Sequence, residues 1–298
     1  MRNNKRKQLY IAITLSLCMG PAKAQFAPEI ELAEIGATGA GFVLNGVIDF
    51  DYTGRSVSAA GDVNGDGIDD LIIGAFGADP NGTLSGASYV VFGKSTGFSS
   101  TFELSSLADG GGSEGFVLHG AALGDNSGFS VSAVGDVNGD GIDDLIIGAL
   151  GADPNGFLSG ASYVVFGKNT VMNGNFDSPF ELSTLDGSDG FVLNGAAAND
   201  RAGISVSAAG DINGDGIDDL IIGADEADPN GQSDSGTSYV VFGKNTGFSS
   251  TFELSSLAMG DGSTGFVLNG EIENELSGYS VSAAGDVNGD GIDDLIIG

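Results

Sequence analysis

The feature that most constrains this chain of 298 residues is an internal repeat. The string Phe-Val-Leu-Asn-Gly begins at Phe42, Phe191 and Phe266, and a variant with His begins at Phe116. Longer strings, such as Gly-Asp-Val-Asn-Gly-Asp-Gly-Ile-Asp-Asp and Tyr-Val-Val-Phe-Gly-Lys, return at the same spacing of about 75 residues. A chain of this kind forms one structural unit per repeat and buries its core between neighbouring units. The sequence therefore predicts four tandem units, the last of them incomplete.

Each unit consists of short apolar runs of strand type, separated by Gly, Asn, Asp and Pro. In the first unit the runs are Arg55–Ala60, Leu71–Ala75, Ser88–Phe92 and Phe102–Leu107, and Phe42–Leu44 recurs at the end of the period. None of them is long enough for a helix. About four strands per unit, repeated, predict an all-β fold, a β-propeller of four-stranded blades. We place the units at about 54–120, 128–195, 203–270 and 278–298.

An acidic loop between the first two runs of each unit carries oxygen ligands at alternating positions. Counted from Asp62, positions 1, 3, 5 and 9 are Asp62, Asn64, Asp66 and Asp70, and position 7 offers the backbone carbonyl of Ile68. Position 6 is glycine, which permits the sharp turn that lets short side chains converge. Three carboxylates, an amide and a carbonyl form a ligand set suited to Ca²⁺. The loop is therefore predicted to bind calcium.

Other interpretations of this loop are weaker. Zinc favours Cys or His ligands, which the loop lacks, and an EF-hand would place Glu at position 12, where Ile73 stands. Ordinary turn formation also uses Asp, Asn and Gly, but it does not explain four copies with identical offsets. The acids at position 8 are expected to point away from the ion into solvent: Asp69, Asp143, Asp218 and Asp293. Up to four Ca²⁺ ions are expected, and the other three loops supply Asp136, Asn138, Asp140, Ile142 and Asp144; Asp211, Asn213, Asp215, Ile217 and Asp219; and Asp286, Asn288, Asp290, Ile292 and Asp294.

The charge of the chain excludes two classes of partner. Its 41 acidic and 10 basic residues give a formal net charge of −31. Nucleic-acid binding requires clustered Lys and Arg, as does adsorption to an anionic membrane through a basic patch. Disorder is disfavoured as well, because 41% of the residues are hydrophobic. We therefore expect a folded protein that binds no nucleic acid.

The amino-terminal 24 residues have the pattern of a secretory signal peptide. A basic start is followed by an apolar stretch too short for a transmembrane helix, and then by Ala22-Lys23-Ala24. Cleavage is expected after Ala24, which predicts a secreted or cell-surface protein without direct membrane insertion. The sole cysteine, Cys18, lies in this segment, and Leu17 before it disfavours lipid anchoring. The mature chain, 25–298, would then contain no disulfide, so that a metal is the natural stabilising element.

The ordered motifs resemble a known family. Gly-Phe-Ser-Val from Gly128, the acidic loop, Ile-Ile-Gly-Ala from Ile146 and Tyr-Val-Val-Phe-Gly are similar to the FG-GAP repeat of integrin α-subunit propellers and of secreted bacterial proteins. The resemblance implies a seven-bladed propeller with Ca²⁺ in the loop joining the first two strands of a blade. It also implies cell adhesion or recognition of an extracellular protein or glycan ligand. Three full repeats and a partial fourth are too few for seven blades, so the chain is expected to be a fragment of a longer polypeptide.

No constellation of catalytic residues emerges from the sequence. The single histidine, His119, occupies the place of Asn45, Asn194 and Asn269 in the other units, which favours a tolerated substitution over a catalytic base. The sequence indicates no nucleophile elbow, which is a G-x-S-x-G string between a strand and a helix, and it contains no P-loop. We therefore predict a non-enzymatic binding module. The alternative is a structural or accessory propeller of a larger secreted enzyme, such as a phospholipase or lyase.

Overall fold

The structure is a computed structural model that describes residues 8–11, 31–38, 41–109 and 111–298. Most of the expected signal peptide, including Cys18 and the cleavage site, lies outside the described residues. In chain order the strands are β1 (Gln8–Ile11), β2 (Phe42–Asn45), β3 (Val57–Gly61), β4 (Asp70–Ala75), β5 (Ala87–Val91), β6 (Thr101–Glu103), β7 (Gly115–His119), β8 (Ser130–Gly135), β9 (Asp144–Ala149), β10 (Ala161–Val165), β11 (Phe180–Glu181), β12 (Gly190–Asn194), β13 (Ser205–Gly210), β14 (Asp219–Ala224), β15 (Thr237–Val241), β16 (Thr251–Glu253), β17 (Gly265–Asn269), β18 (Val281–Gly285) and β19 (Asp294–Ile297).

The helical elements of the described residues are short, at most six residues long. The α-helical turns are α1 (Ile35–Thr38) and α2 (Thr170–Asn173). The 3₁₀ turns are Leu32–Glu34, Leu104–Leu107, Leu182–Thr184, Pro229–Gly231 and Leu254–Met259. No helix in the described part of the chain has the length and hydropathy that crossing a membrane requires.

Each complete repeat forms a four-stranded antiparallel meander. The sheets run β3-β4-β5-β7, β8-β9-β10-β12 and β13-β14-β15-β17. The register is the same in each: Ile73 lies opposite Tyr89, which lies opposite Val117, and Ile147 lies opposite Tyr163 in the next sheet. The prediction of a repeated blade of four strands, typical of a β-propeller, is confirmed. The partial fourth repeat supplies the pair β18-β19.

A fifth, parallel strand on the outer edge of a blade comes from the following repeat. β11 pairs with β7, β16 with β12 and β6 with β2. The predicted strand Phe102–Leu107 is correct only for Phe102 and Glu103, because its last four residues form the 3₁₀ turn Leu104–Leu107. That turn forms because Leu104 and Leu107, three residues apart, lie on one side of it and are both buried. Each repeat thus closes over the blade before it.

The hydrophobic core lies between blades. Along β4, Ile72 belongs to a buried cluster with Leu145 and Ile147 of the second blade. Its neighbour Ile73 belongs to a different cluster, with Leu44 of β2. Successive side chains of a strand point to opposite faces of the sheet. A strand whose sheet is buried on both faces therefore has a continuous apolar sequence. The inner strands β3, β8, β13 and β18 lie side by side, and the Val131 N–H donates to Ser56 Oγ at 3.0 Å between the first two.

At its amino-terminal side the described chain ends in a partial sheet, β1-β2-β6. Gln8–Ile11 pairs antiparallel with Phe42–Asn45 and so holds the place that β5 holds beside β7. These four residues lie within the predicted signal peptide, and cleavage after Ala24 stays a prediction.

Candidate metal centre

The acidic loops connect the first and second strands of each blade, at one end of the sheet. In the first loop, Asp62 Oδ1 accepts the Asp66 N–H at 2.9 Å and Asp62 Oδ2 accepts the Gly67 N–H at 2.8 Å. Asp66 Oδ1 in turn accepts the Ile68 N–H at 2.9 Å. Gly67 has a φ of 87°, a conformation that few side-chain-bearing residues adopt. The alternating acids therefore stabilise the turn by accepting hydrogen bonds from backbone N–H groups of the same loop.

The carboxylate at position 9 is buried beneath the loop. Asp70 is fully buried, and it accepts the N–H groups of Gly93 at 2.8 Å and Val63 at 3.1 Å. Burial raises the pKa of Asp70 to about 7, and the two N–H donors oppose that effect in part. The equivalents Asp144 and Asp219 are also fully buried, and burial raises their pKa to about 8 and about 6. A nearby cation would favour the ionised form of such a group.

The amide at position 3 gives the strongest structural support for a metal ligand in the first loop. Asn64 is 2% exposed, and its Oδ1 atom has no hydrogen-bond partner among the described residues. In the second loop, Asn138 Oδ1 accepts the Asp140 N–H at 2.9 Å instead. A buried carbonyl oxygen without a partner costs free energy, which a metal–oxygen contact would remove.

The donor set fits Ca²⁺ in kind and in capacity. A carboxylate offers about four lone-pair sites, so Asp62 and Asp66 keep accepting capacity beyond their N–H bonds. Among the described residues, no three acidic, His or Cys side chains are gathered closely enough to hold a metal as they stand. Asn64 and Asp66 line a cleft of about 350 Å³, and Asn138 and Asp140 line one of about 250 Å³. These clefts give solvent access to both loops.

The fourth loop shows that the geometry is encoded locally. Asp286 is exposed, yet it accepts the Asp290 N–H at 3.0 Å and the Gly291 N–H at 2.9 Å, as its counterparts do. Asp294 Oδ2 accepts the Val287 N–H at 2.9 Å, in the same way as Asp70 and Val63. The turn thus forms without a neighbouring blade packed over it.

The position-8 acids differ from the sequence-based expectation. Asp143 Oδ2 accepts the Asp62 N–H at 2.8 Å, across the boundary between two blades. Asp218 and Asp293 accept the N–H groups of Asp136 and Asp211 at 2.9 and 3.1 Å. The prediction that these side chains are solvated is therefore wrong for three loops. One repeat considered alone cannot show it, because the bond joins two repeats.

The glycine before each of the first three loops makes room for this contact. Gly61 has a φ of 70°, and a Cβ atom there would lie 2.3 Å from Asp143 Oδ2. Gly135 and Gly210 stand in the same relation to Asp218 and Asp293. The recurring Gly-Asp before the loop and Asp-Asp at its end were the available signal in the sequence.

A second set of buried acids lies at the opposite end of the blades. Asp125 precedes β8, is 6% exposed, and accepts the Ala122 N–H at 2.9 Å. Burial raises the pKa of Asp125 to about 6, with a smaller contribution from the charge of Asp153. Asp200 repeats the arrangement with Asp228, and its pKa is also raised by burial to about 6.

Replacing Asp125 by Asn is expected to stabilise the protein at high pH only. The folded-state pKa of Asp125 lies above the ordinary value of 3.8, so its favourable contribution is complete below about pH 4 and is lost as the pH rises through about 6. Asp125→Asn keeps an acceptor for the Ala122 N–H, and should raise the free energy of unfolding at pH 8 by about 1–3 kcal/mol. Urea denaturation in chelator at pH 4 and pH 8 measures this, with Asp177→Asn as the control at an exposed acid. An equal gain at both pH values would contradict the assignment.

The histidine belongs to a group of side chains, His119, Glu181 and Asn81, that fastens the fifth strand to the outer edge of a blade; we call this group the clip. His119 Nδ1 lies 3.0 Å from Glu181 Oε1, and Asn81 Nδ2 donates to Glu181 Oε2 at 2.7 Å. In the next blade, Asn194 Nδ2 donates to Glu253 Oε1 at 2.8 Å. His119 thus holds the fifth strand in the way that Asn does elsewhere.

His119→Asn is accordingly expected to change the free energy of unfolding by less than about 0.5 kcal/mol. Glu181→Ala removes the acceptor of both His119 and Asn81, and should cost about 1 kcal/mol. Glu253→Ala is the matched change in the next blade. A much larger loss for His119→Asn than for Glu181→Ala would show a role for the ring beyond the clip.

Comparisons with known proteins agree with this architecture. The FG-GAP repeat model matches residues 53–91, 127–165, 202–241 and 277–298. The chain is 31% identical over 84% of its length to integrin alpha pat-2 of Caenorhabditis elegans, and 31% identical over 61% to integrin alpha-PS5 of Drosophila melanogaster. It is 27% identical over 79% to phosphatidylinositol-glycan-specific phospholipase D of Dictyostelium discoideum.

The matched region is a small part of those relatives. It spans 18% of the Caenorhabditis protein, 16% of the Drosophila protein and 24% of the Dictyostelium protein. Each FG-GAP match begins shortly before an inner strand and takes in the acidic loop, and the first three also include the next two strands. Repeated blades, recurring loops and these matches together establish that the chain is an FG-GAP repeat protein of the integrin-α-like propeller type.

Proposed function

We propose that this protein is an exported calcium-binding propeller module for cell adhesion or extracellular ligand recognition, in which Ca²⁺ stabilises the loops between strands. The single observation that carries the calcium assignment is the fourfold recurrence of one oxygen donor set in one loop geometry. When bound, the ion supplies positive charge to acids that otherwise repel one another. Asp62, Asn64, Asp66 and Asp70, with the Ile68 carbonyl, would hold it in the first loop, and the corresponding residues in the other three.

The opposite end of the blades supports a role in recognition. The repeats are nearly identical in their strands and metal loops, but they differ where one blade leads into the next, at 47–53, 121–127, 196–202 and 271–277. Large apolar side chains stand exposed at this end: Phe50 is 83%, Leu123 69% and Phe157 67% exposed. Variable residues on a constant scaffold are typical of binding surfaces. The integrin alpha relatives and the amino-terminal export pattern favour an extracellular protein or glycan as the ligand.

The recognition role is tested by binding of the full chain to a glycan array and to immobilised extracellular-matrix proteins. Binding should require Ca²⁺, and Phe157→Ala should weaken it about tenfold or more, as for a buried aromatic anchor. Val171→Ala is the matched control, because Val171 is 85% exposed but lies beside the metal-loop end of the blades. The proposal fails if no ligand is retained in Ca²⁺, or if both variants bind like the wild type.

A second candidate function is that of an accessory propeller in a larger secreted enzyme. The observation that favours it is the likeness to phosphatidylinositol-glycan-specific phospholipase D over 79% of this chain. On either proposal the chain itself performs no catalysis. An assay of the purified chain for release of a glycosylphosphatidylinositol-anchored protein should show none, and turnover would contradict both proposals.

A further inference from the structure

The two adjacent aspartates at the end of an acidic loop form hydrogen bonds in two different loops. Asp144, at position 9, accepts the Val137 N–H at 3.0 Å and the Gly167 N–H at 2.8 Å, and so belongs to its own loop. Its neighbour Asp143 accepts the Asp62 N–H of the preceding loop at 2.8 Å. One peptide unit therefore separates a candidate ligand of the second loop from a group that holds the first candidate ligand of the first loop.

Backbone bonds reinforce the same connection. The Lys168 N–H donates to the Val63 carbonyl at 3.0 Å, and the Thr170 N–H donates to the Asn64 carbonyl at 2.9 Å. Lys168 follows β10 of the second blade, whereas Val63 and Asn64 lie in the first loop. The Lys244 N–H and the Val137 carbonyl repeat the contact one blade further on, at 2.9 Å. Each of these loops is therefore built partly by the next blade.

We propose that three of the position-8 aspartates, Asp143, Asp218 and Asp293, are positioning residues that couple neighbouring calcium sites, a proposal that rests on the proposed calcium-binding function. Asp143, Asp218 and Asp293 each fix the backbone of the first ligand in the preceding loop. An ion in one loop fixes the position-9 aspartate of that loop. Because position 8 is the adjacent residue, the ion also fixes the orientation in which the position-8 carboxylate contacts the preceding loop. Because coupling between binding sites is reciprocal, an ion in either loop favours the other.

The chain contains a matched control for this coupling. Asp69 occupies position 8 of the first loop but is exposed, and among the described residues no N–H group donates to it. Asp69→Ala removes a carboxylate beside Asp70 just as Asp143→Ala removes one beside Asp144. The difference between the two variants therefore reports the contact between blades, free of the loss of charge near a position-9 ligand.

The test combines calorimetric Ca²⁺ titration with hydrogen exchange on the full chain. Asp143→Ala should weaken the first site about tenfold, as loss of an outer-shell partner does, and should also lower the affinity of the second site, because the coupling is reciprocal. Asp69→Ala should leave all sites unchanged. Asp143→Asn, whose amide oxygen can still accept the Asp62 N–H, should retain most of the affinity. In calcium-free protein, Asp143→Ala should speed exchange of the Asp62 amide, and Asp69→Ala should not.

A double variant identifies which sites are affected. In an Asp66→Ala background the first loop has already lost a ligand, so adding Asp143→Ala should weaken no further site. Equal weakening of every site by Asp143→Ala, or wild-type affinities with only a lower melting temperature, would overturn the coupling and leave a structural contact. If the wild type takes up no Ca²⁺, the proposed function fails as well, and the exchange rate of Asp62 separately shows whether the contact exists.

Discussion

Removal of Ca²⁺ is expected to lower the melting temperature of the full chain by roughly 10 °C or more. With Kd on the order of 10⁻⁴–10⁻³ M, typical of extracellular modules, 10 mM Ca²⁺ stabilises the folded state by about 1.4–2.7 kcal/mol at each site. Four sites add these contributions, and each kcal/mol shifts the melting temperature of a chain of this size by about 2–4 °C. Differential scanning calorimetry in 10 mM Ca²⁺ and in excess chelator measures the difference.

A variant that lacks one exposed ligand in each loop is the control for ion-specific stabilisation. Asp66→Ala, Asp140→Ala, Asp215→Ala and Asp290→Ala remove the position-5 carboxylate from all four loops at a surface-exposed position. The combined variant should melt at the same temperature with Ca²⁺ and with chelator. Coincident melting temperatures for the wild type would show that the loops are ordinary turns.

Within one loop, Asp144→Ala and Asp140→Ala are expected to differ sharply in the absence of Ca²⁺. Asp144 is fully buried, and its loss leaves the Val137 and Gly167 N–H groups without acceptors, which should cost about 2–4 kcal/mol of unfolding free energy. Asp140 is exposed and accepts only N–H groups near solvent, so its loss should cost less than about 0.5 kcal/mol. Urea denaturation in chelator measures both values.

The same two variants should lose a similar amount of the stabilisation that Ca²⁺ provides. Each variant has lost one candidate ligand of the second loop, so each should gain less stability from 10 mM Ca²⁺ than the wild type does, by about the contribution of one site. If Asp140→Ala keeps the full calcium-dependent gain, Asp140 is not a ligand. If Asp144→Ala is as stable as the wild type in chelator, the buried carboxylate is not part of the loop's framework.

The strand pattern of a blade could be predicted because its causes are local. The runs around Ile72 and Tyr89 are apolar, rich in β-branched or aromatic residues and bounded by glycine, and they became β4 and β5 with bounds shifted by about one residue. The acidic loop was equally visible, because Asp62 and Asp66 bond the backbone a few residues away. The exposed fourth loop, with the same bonds, shows that such local information is sufficient.

The contacts between repeats could not be predicted from one repeat. In the sequence of its own repeat, Asp143 looks like a solvated acid. Its hydrogen bond to the Asp62 N–H becomes visible only when the second blade is packed beside the first. The short strand at Thr101 likewise joins the preceding sheet, a pairing that the spacing of its apolar residues does not encode. Both contacts depend on the packing angle between blades, which is set by the whole interface.

The most direct test of the calcium assignment is a calorimetric titration of the full chain with Ca²⁺, compared with the variant lacking all four position-5 aspartates. The proposal predicts uptake of up to four ions per chain in the wild type, with Kd on the order of 10⁻⁴–10⁻³ M, and no uptake by the variant. Absence of binding in the wild type, or equal binding by both proteins, would contradict the assignment of these loops as calcium sites.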